Sequence, residues 1–156
     1  KIINKVFGNS IKNTFKTFEL ETINDKNKIE ATASHNGYEK NFNCIYKRSI
    51  SIEKSSNDIT GIDKIIKKKN GKPINYSLRF HLYPGIGAVK TMSGNSVLIQ
   101  LSKNKSLILT IENENILVEK SIFLGTNNIL ENTCISVSGN LVNKDKIIRW
   151  NIKKKI

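Results

Sequence analysis

The stretch "SVLIQLSKNKSLILTIE" (residues 96–112) decides the fold class. Apolar side chains occupy every second position on both sides of a short polar linker. This is the two-residue period of half-buried strands and not the 3.6-residue period of a helix. The odd positions form one predicted core face: Val97, Ile99, Leu101, Leu107, Leu109 and Ile111. Because the linker at residues 102–105 is short enough for a hairpin loop, the two runs are predicted to pair as antiparallel strands.

The same alternation continues along nearly the whole chain. It is clearest in "CIYKRSISIE" (44–53), in "SLRFHLY" (77–83) and in residues 146–153, where Ile148, Trp150 and Ile152 share one side. Further candidate strands are residues 15–23, 28–34, 59–66, 115–124 and 129–138. No segment shows a sustained helical period. We therefore predict an all-β fold, an antiparallel β-sandwich or two stacked sheets of about ten short strands.

Length and composition indicate a single globular domain over residues 1–156. A chain of this size can bury a core without metal or disulfide staples, and no run approaches the ~20 apolar residues that span a bilayer. The first residues have no signal-peptide pattern and no initiating Met, so we expect a mature or trimmed chain, or a piece of a longer one. Cys44 and Cys134 are predicted to be buried thiols, with one disulfide as the alternative in an exported protein.

The formal net charge of +13 suits a partner that is a polyanion. The densest basic groups are residues 64–72 and 153–155. The alternative is that the positive charge reflects only the base composition of the genome, because Lys, Ile and Asn are all encoded by A/T-rich codons. Residues 76–83 come closest to an exposed strip of basic and aromatic side chains, which could bind sugar rings or remain a solvated strand face. We do not expect a nucleic-acid partner.

The segment "SHNGY" (34–38) raises the question of catalysis. His35 and Tyr38 are residue types that can serve as acid and base in a β-elimination, but Asn-Gly between them is a strong turn signal. We therefore expect a turn whose polar side chains brace a sheet or line a sugar cleft, and we assign no catalytic residue. No metal or cofactor is expected in this segment, since Asp58 and Asp63 in "NDITGID" resemble a calcium loop only weakly.

Several segments, taken in order, resemble one family. They are "ASHNGYEKNFNCIYKRSISIE", "ITGIDKI", "LRFHLYPGIGA", "SIFLGTNNILENTCISVSGNL" and "IIRWNIKK". Together they resemble the C-terminal β-domain of bacterial heparinase II/III-like proteins, a polysaccharide lyase family. In that family a "SHDGY" segment, a "G-x-D" step, a "RFHLHP" strand and an "RW" strand follow one another. The chain departs from this pattern at Asn36, where Asp is usual, and at Tyr46 and Tyr83, where His is common.

The resemblance implies a domain that completes an enzyme without being one. The parent enzyme would cleave acidic, uronic-acid-containing glycans by β-elimination. Its catalytic residues, and any structural metal, would lie upstream of this segment, in or beside an N-terminal helical toroid domain of the same chain. The residues expected to contact the glycan are His35, Tyr38, Arg48, Arg79 and His81.

The expected partners are therefore an acidic polysaccharide and the helical toroid. The family also implies a location in the bacterial envelope or periplasm. Two alternatives stay open at this point. One is a non-catalytic module that binds polyanions or carbohydrates, and the other is a purely structural β-domain.

Overall fold

The computed structural model describes residues 15–68, 72–125, 128–142 and 144–155 and confirms the all-β prediction. The strands are β1 (Thr17–Asn24), β2 (Lys28–His35), β3 (Cys44–Glu53), β4 (Ile59–Lys67), β5 (Ile74–His81), β6 (Gly87–Lys90), β7 (Ser96–Ser102), β8 (Lys105–Ile111), β9 (Leu117–Phe123), β10 (Leu130–Leu141) and β11 (Lys146–Lys155). A single helical turn, α1 (Glu39–Phe42), connects β2 to β3. The prediction lacks β6 and α1, because four-residue elements are too short to show a period. Part of the basic stretch at residues 64–72 lies outside the described residues.

The strands form two antiparallel sheets. Sheet A has eight strands in the order β1-β2-β3-β4-β11-β8-β7-β6, and sheet B has three in the order β5-β10-β9. The β7–β8 hairpin has the predicted form, with Ser102 opposite Lys105 at the turn and Ile99 opposite Leu107 further in. The position of β11 between β4 and β8 places the C-terminal strand at the middle of sheet A.

The two sheets pack face to face around one apolar core. Sheet A contributes Val97, Ile99, Leu109, Ile111, Ile148 and Trp150, and sheet B contributes Leu78, Ile135 and Val137. The rings of Phe80 and Trp150 meet between the sheets at 5.2 Å and 82°. Leu101 is an exception to the predicted core face. The ladder shifts register between Gln100 and Ser102, and the Leu101 side chain is 44 % exposed.

Sheet B is too narrow to cover all of sheet A. Among the described residues, β1 and β2 contribute no side chain to the buried apolar core, and Leu20 and Ile29 are exposed. The edge strand β5 lies above β3 and β4, where side chains of all three strands line a common cavity. This edge of the sandwich is therefore open, and it holds the candidate site described below.

Gly61 allows the central indole to lie against the backbone of β4. It is the register partner of Trp150, and a methyl group added at Gly61 would overlap the indole ring.

In the described part of the chain, no helix is long and apolar enough to cross a membrane.

Candidate functional site

Three tyrosines surround a cleft at the open edge of the sandwich. Tyr38 lies in the connection between β2 and β3, Tyr46 on β3 and Tyr76 on β5. Together with Cys44 and Ile65 they enclose a cavity of about 200 Å³. An adjoining cavity of about 210 Å³ shares the three tyrosines and extends inward to a buried carboxylate. Aromatic faces and hydroxyl groups in a concave site are suited to binding a small ring-shaped ligand.

The buried carboxylate belongs to Asp63, which is 1 % exposed. One oxygen, Oδ1, accepts hydrogen bonds from the Tyr46 hydroxyl and from Arg48 Nε, the latter at 2.6 Å. The other oxygen, Oδ2, accepts the indole N–H of Trp150 at 2.7 Å. These donors come from β3 and β11, which flank β4 on its two sides. The carboxylate therefore ties three adjacent strands together, and both of its oxygens have partners.

The electrostatics of this network favour a fixed protonation state. Burial raises the pKa of the Tyr46 hydroxyl far above its ordinary value, and the hydrogen bond to Asp63 raises it further. Burial works against the charge of Arg48, but the hydrogen bond to Asp63 leaves the pKa of its guanidinium above the ordinary value. Tyr46 therefore stays a hydrogen-bond donor and Arg48 stays a cation at any physiological pH.

His35 packs in an aromatic cluster beside the cleft. Its ring centroid lies 5.1 Å from that of Phe15, 5.3 Å from that of Tyr38 and 5.3 Å from that of Tyr46. Its Nδ1 accepts the backbone N–H of Gly37 at 3.1 Å, and burial lowers its pKa. A neutral ring with an occupied Nδ1 carries its proton on Nε2. His35 therefore stabilises the edge of the cleft as an uncharged ring.

The segment that contains His35 and Tyr38 is a strand connection, as predicted. The Asn36 side chain accepts the backbone N–H of Lys16 at 2.8 Å, and the Asn36 N–H is donated to the Lys16 carbonyl at 3.2 Å. This pair of bonds joins the turn to the residue just before β1. The chain then enters α1, whose Glu39 forms an ion pair with Lys68. The turn and α1 together hold Tyr38 over the cleft.

Arg79 and His81 lie elsewhere, on the outer face of sheet B. Arg79 forms an ion pair with Glu119 on β9, and the Ser136 hydroxyl donates to the same carboxylate at 2.9 Å. The bonds from Ser136 and Arg79 hold the pKa of Glu119 below its usual range. His81 Nδ1 lies 3.4 Å from the Ser121 hydroxyl. Arg79 and His81 are exposed on this face, which points away from the core between the two sheets.

The five residues predicted to contact a glycan therefore occupy two places. His35, Tyr38 and Arg48 are brought together at the cleft through their contacts with Tyr46. Arg79 and His81 are not. Arg48 uses its Nε for Asp63, and its side chain is 39 % exposed, so the outer edge of its guanidinium can still meet a ligand.

Two central residues of the site, Asp63 and Tyr76, are not among the five residues predicted to contact a glycan; Tyr76 was predicted only as part of an exposed strip at residues 76–83. Asp63 lies inside β4 and faces hydrogen-bond donors, whereas Asp58 lies 3.5 Å from Lys153. No group of three or more His, Cys, Asp or Glu side chains in the described ranges could hold a metal ion. A signal for both residues was present, since each lies two positions from apolar residues of its strand and so shares their inward face. A carboxylate at such a position needs buried partners.

The family is decided by a sequence comparison. The model of the family described as heparinase II/III-like, C-terminal, matches residues 5–151. The chain belongs to this family. No curated protein matches it at a significant level.

Solved structures share the fold of this heparinase II/III-like domain. The heparan sulfate lyase HepC from Pedobacter heparinus superposes with a TM-score of 0.74 at 14 % identity, over 89 % of this chain and 22 % of that one. Heparinase III gives 0.66 at 13 % identity, over 90 % and 21 %. The Slr1438 protein from Synechocystis sp. PCC 6803 gives 0.51 at 11 % identity, over 87 % and 65 %. The chain thus spans about a fifth of the length of HepC and of heparinase III.

Proposed function

We propose that this chain is the C-terminal β-domain of a polysaccharide lyase that cleaves acidic, uronic-acid-containing glycans by β-elimination. The observation that carries the proposal is the family match over residues 5–151. The fold shared with 22 % of a heparan sulfate lyase supports it. The domain would support a catalytic region in the rest of a parent chain, including a helical toroid, and would add a surface that contacts the glycan.

The state of the cleft residues supports a role in support and binding. β-Elimination needs a base that removes the proton beside the carboxylate and an acid that protonates the leaving oxygen. Tyr46 keeps its proton and donates a hydrogen bond to Asp63, and Arg48 pairs with the same carboxylate. His35 Nδ1 is occupied by Gly37. Tyr46, Arg48 and His35 Nδ1 are thus already engaged in holding the strands and the turn.

Tyr38 is the residue of the cleft that is best suited to contact a sugar. Its side chain is 47 % exposed, and its ring is held from behind by His35 and Phe42. A ring fixed in this way can stack on a pyranose face with little further loss of entropy. Arg48 lies nearby and offers its outer N–H groups to a carboxylate or sulfate.

The direct test is to incubate the chain alone with heparan sulfate and to follow the absorbance of unsaturated uronate. We expect no product from the isolated chain. We expect product from a parent lyase that contains it, and a loss of that product when residues 15–155 are deleted. Product formed by the isolated chain would overturn the supporting role. Full activity of the parent lyase without residues 15–155 would also overturn the supporting role.

The net charge of +13 favours a second candidate, a module without a catalytic partner that grips polyanions by charge. Such a module would retain duplex DNA and heparan sulfate equally, with an affinity that falls steeply with salt. Preference for the glycan at physiological salt would exclude it. A location in the bacterial envelope or periplasm and the lack of a cofactor in this segment stay predictions.

A further inference from the structure

The end of sheet A that lies furthest from the cleft carries a group of lysines. Strand β11 starts beside the cleft, where Lys146 approaches the Tyr76 ring, and its ten residues span about 30 Å to Lys155. There it pairs with the start of β8, with Lys154 opposite Leu107. The β7–β8 turn follows at the same end of the sheet. We call Lys103, Lys105, Lys154 and Lys155 the lysine end.

The cations of the lysine end are not neutralised. Their neighbour Lys153 is 3.5 Å from Asp58. None of the four lysines of the lysine end forms an ion pair within the residues that the structure describes. Two cations near the cleft are paired, by contrast: Lys146 with Glu114 and Lys64 with Asp145. Unpaired cations on neighbouring strands repel one another, and a bound polyanion relieves that repulsion.

Strand geometry spreads these cations over both faces of the sheet end. Lys154 is opposite the partly buried Leu107 and so shares its face, on which Lys105 also lies two residues away. Lys155 is opposite Ser106 and lies on the other face. Positions on one strand and one face repeat at about 7 Å, and neighbouring strands lie about 5 Å apart. A linear polyanion that crosses the end of the sheet would therefore meet several cations in succession.

We propose that the lysine end is an anchoring surface for the sulfate and carboxylate groups of an acidic polysaccharide, separate from the tyrosine cleft. The identity of the polyanion rests on the proposed function. The local sequence supports it, since residues 100–107 and 151–155 contain hydroxyl and amide side chains but no aromatic ring. Unpaired nucleic-acid bases are bound largely by stacking on aromatic rings, whereas sulfate needs point charges and hydrogen-bond donors.

The test compares two variants of equal net charge by calorimetric titration with heparan sulfate at about 0.15 M salt. The first variant carries Lys103→Gln, Lys105→Gln, Lys154→Gln and Lys155→Gln. The control carries Lys16→Gln, Lys26→Gln, Lys90→Gln and Lys120→Gln, at exposed positions scattered over the surface. We expect the first variant to bind about tenfold more weakly or worse and the control to lose less than about threefold. The salt dependence of binding should also flatten in the first variant alone.

Each other outcome has a definite meaning. Equal losses in the two variants would overturn the lysine end as a site while leaving the proposed glycan contact intact. Absence of binding by the unchanged chain would overturn both. Displacement of heparan sulfate by duplex DNA at equal charge concentration would overturn a polysaccharide partner in favour of a nucleic acid. Thermal unfolding checks that both variants are folded. We expect both to fold, because all eight substituted lysines are exposed.

Discussion

Trp150 donates its indole N–H to the buried carboxylate of Asp63 at 2.7 Å, which joins the middle of β11 to β4 beneath sheet B. The same carboxylate accepts hydrogen bonds from Arg48 and Tyr46, which both lie on β3. A buried charge of this kind is costly unless all its partners are present. The open edge of the sandwich therefore depends on a polar network where sheet B no longer supplies apolar cover.

Asp63→Ala is expected to lower the free energy of unfolding by about 3–5 kcal/mol, because it leaves the Arg48 charge and the Trp150 N–H without their acceptor. Urea unfolding followed by the fluorescence of Trp150, the one tryptophan of the chain, measures this. Asp58→Ala is the matched control. It removes an ion pair with Lys153 near the surface and should cost about 1 kcal/mol or less. Equal effects of the two substitutions would contradict the central role of Asp63.

Gly61→Ala is expected to destabilise the domain by about 1–3 kcal/mol or more, because the added methyl group overlaps the indole ring of Trp150. Gly87→Ala is the control in β6, where a methyl group meets no atom within 4 Å. It should be neutral or slightly stabilising. Thermal melts of the two variants measure this difference in stability. If the Gly61→Ala protein is as stable as the Gly87→Ala protein, the indole can move aside.

Both cysteines are expected to be free thiols that react only when the protein unfolds. Cys44 and Cys134 are buried and unpaired with each other, so the disulfide alternative does not apply to this structure. Burial raises the pKa of each thiol and so lowers the thiolate fraction. Titration with a thiol-reactive dye should detect almost no reaction in buffer and two thiols in urea. Fast labelling under native conditions would mean that β3 or β10 opens readily.

His35 is expected to make the domain less stable as the pH falls. Its folded-state pKa lies below the ordinary value of 6.5, so the unfolded chain binds the proton first. This contribution is fully present above pH 6.5 and is lost as the pH falls through the folded-state pKa. Urea midpoints at pH 7.5 and pH 5 should therefore differ more for the unchanged protein than for His35→Phe. The idea fails if the two proteins show the same pH dependence.

Tyr38→Ala is expected to weaken glycan binding several-fold, because it removes the exposed ring at the cleft. Tyr83→Ala is the control, since Tyr83 is also exposed but packs against Phe123 on sheet B. Binding of heparan sulfate by both variants can be measured beside their thermal stability. A larger loss in Tyr83→Ala would place the sugar contact on sheet B, near the predicted residues Arg79 and His81.

The local sequence was sufficient to predict much of the fold. The alternation of Ile148, Trp150 and Ile152 placed all three on the inward face of β11, where they lie. The β7–β8 hairpin could also be predicted, because its two runs are neighbours in the chain. The candidate site was predicted only in part. His35 and Tyr38 sit within one short connection, whereas Tyr76 reaches the cleft only because β5 packs over β3 and β4.

What the sequence by itself determined is where the ten longer strands lie and, with exceptions such as Leu101, which side of each faces inward, because that depends on a two-residue period within each segment. Only the tertiary structure decided that β11 pairs between β4 and β8, that sheet B has three strands, and that Asp63 meets Trp150. The hydrogen bond between Asp63 and Trp150 alone joins residues 87 positions apart. These contacts depend on the packing of the whole chain, and a local period carries no information about them.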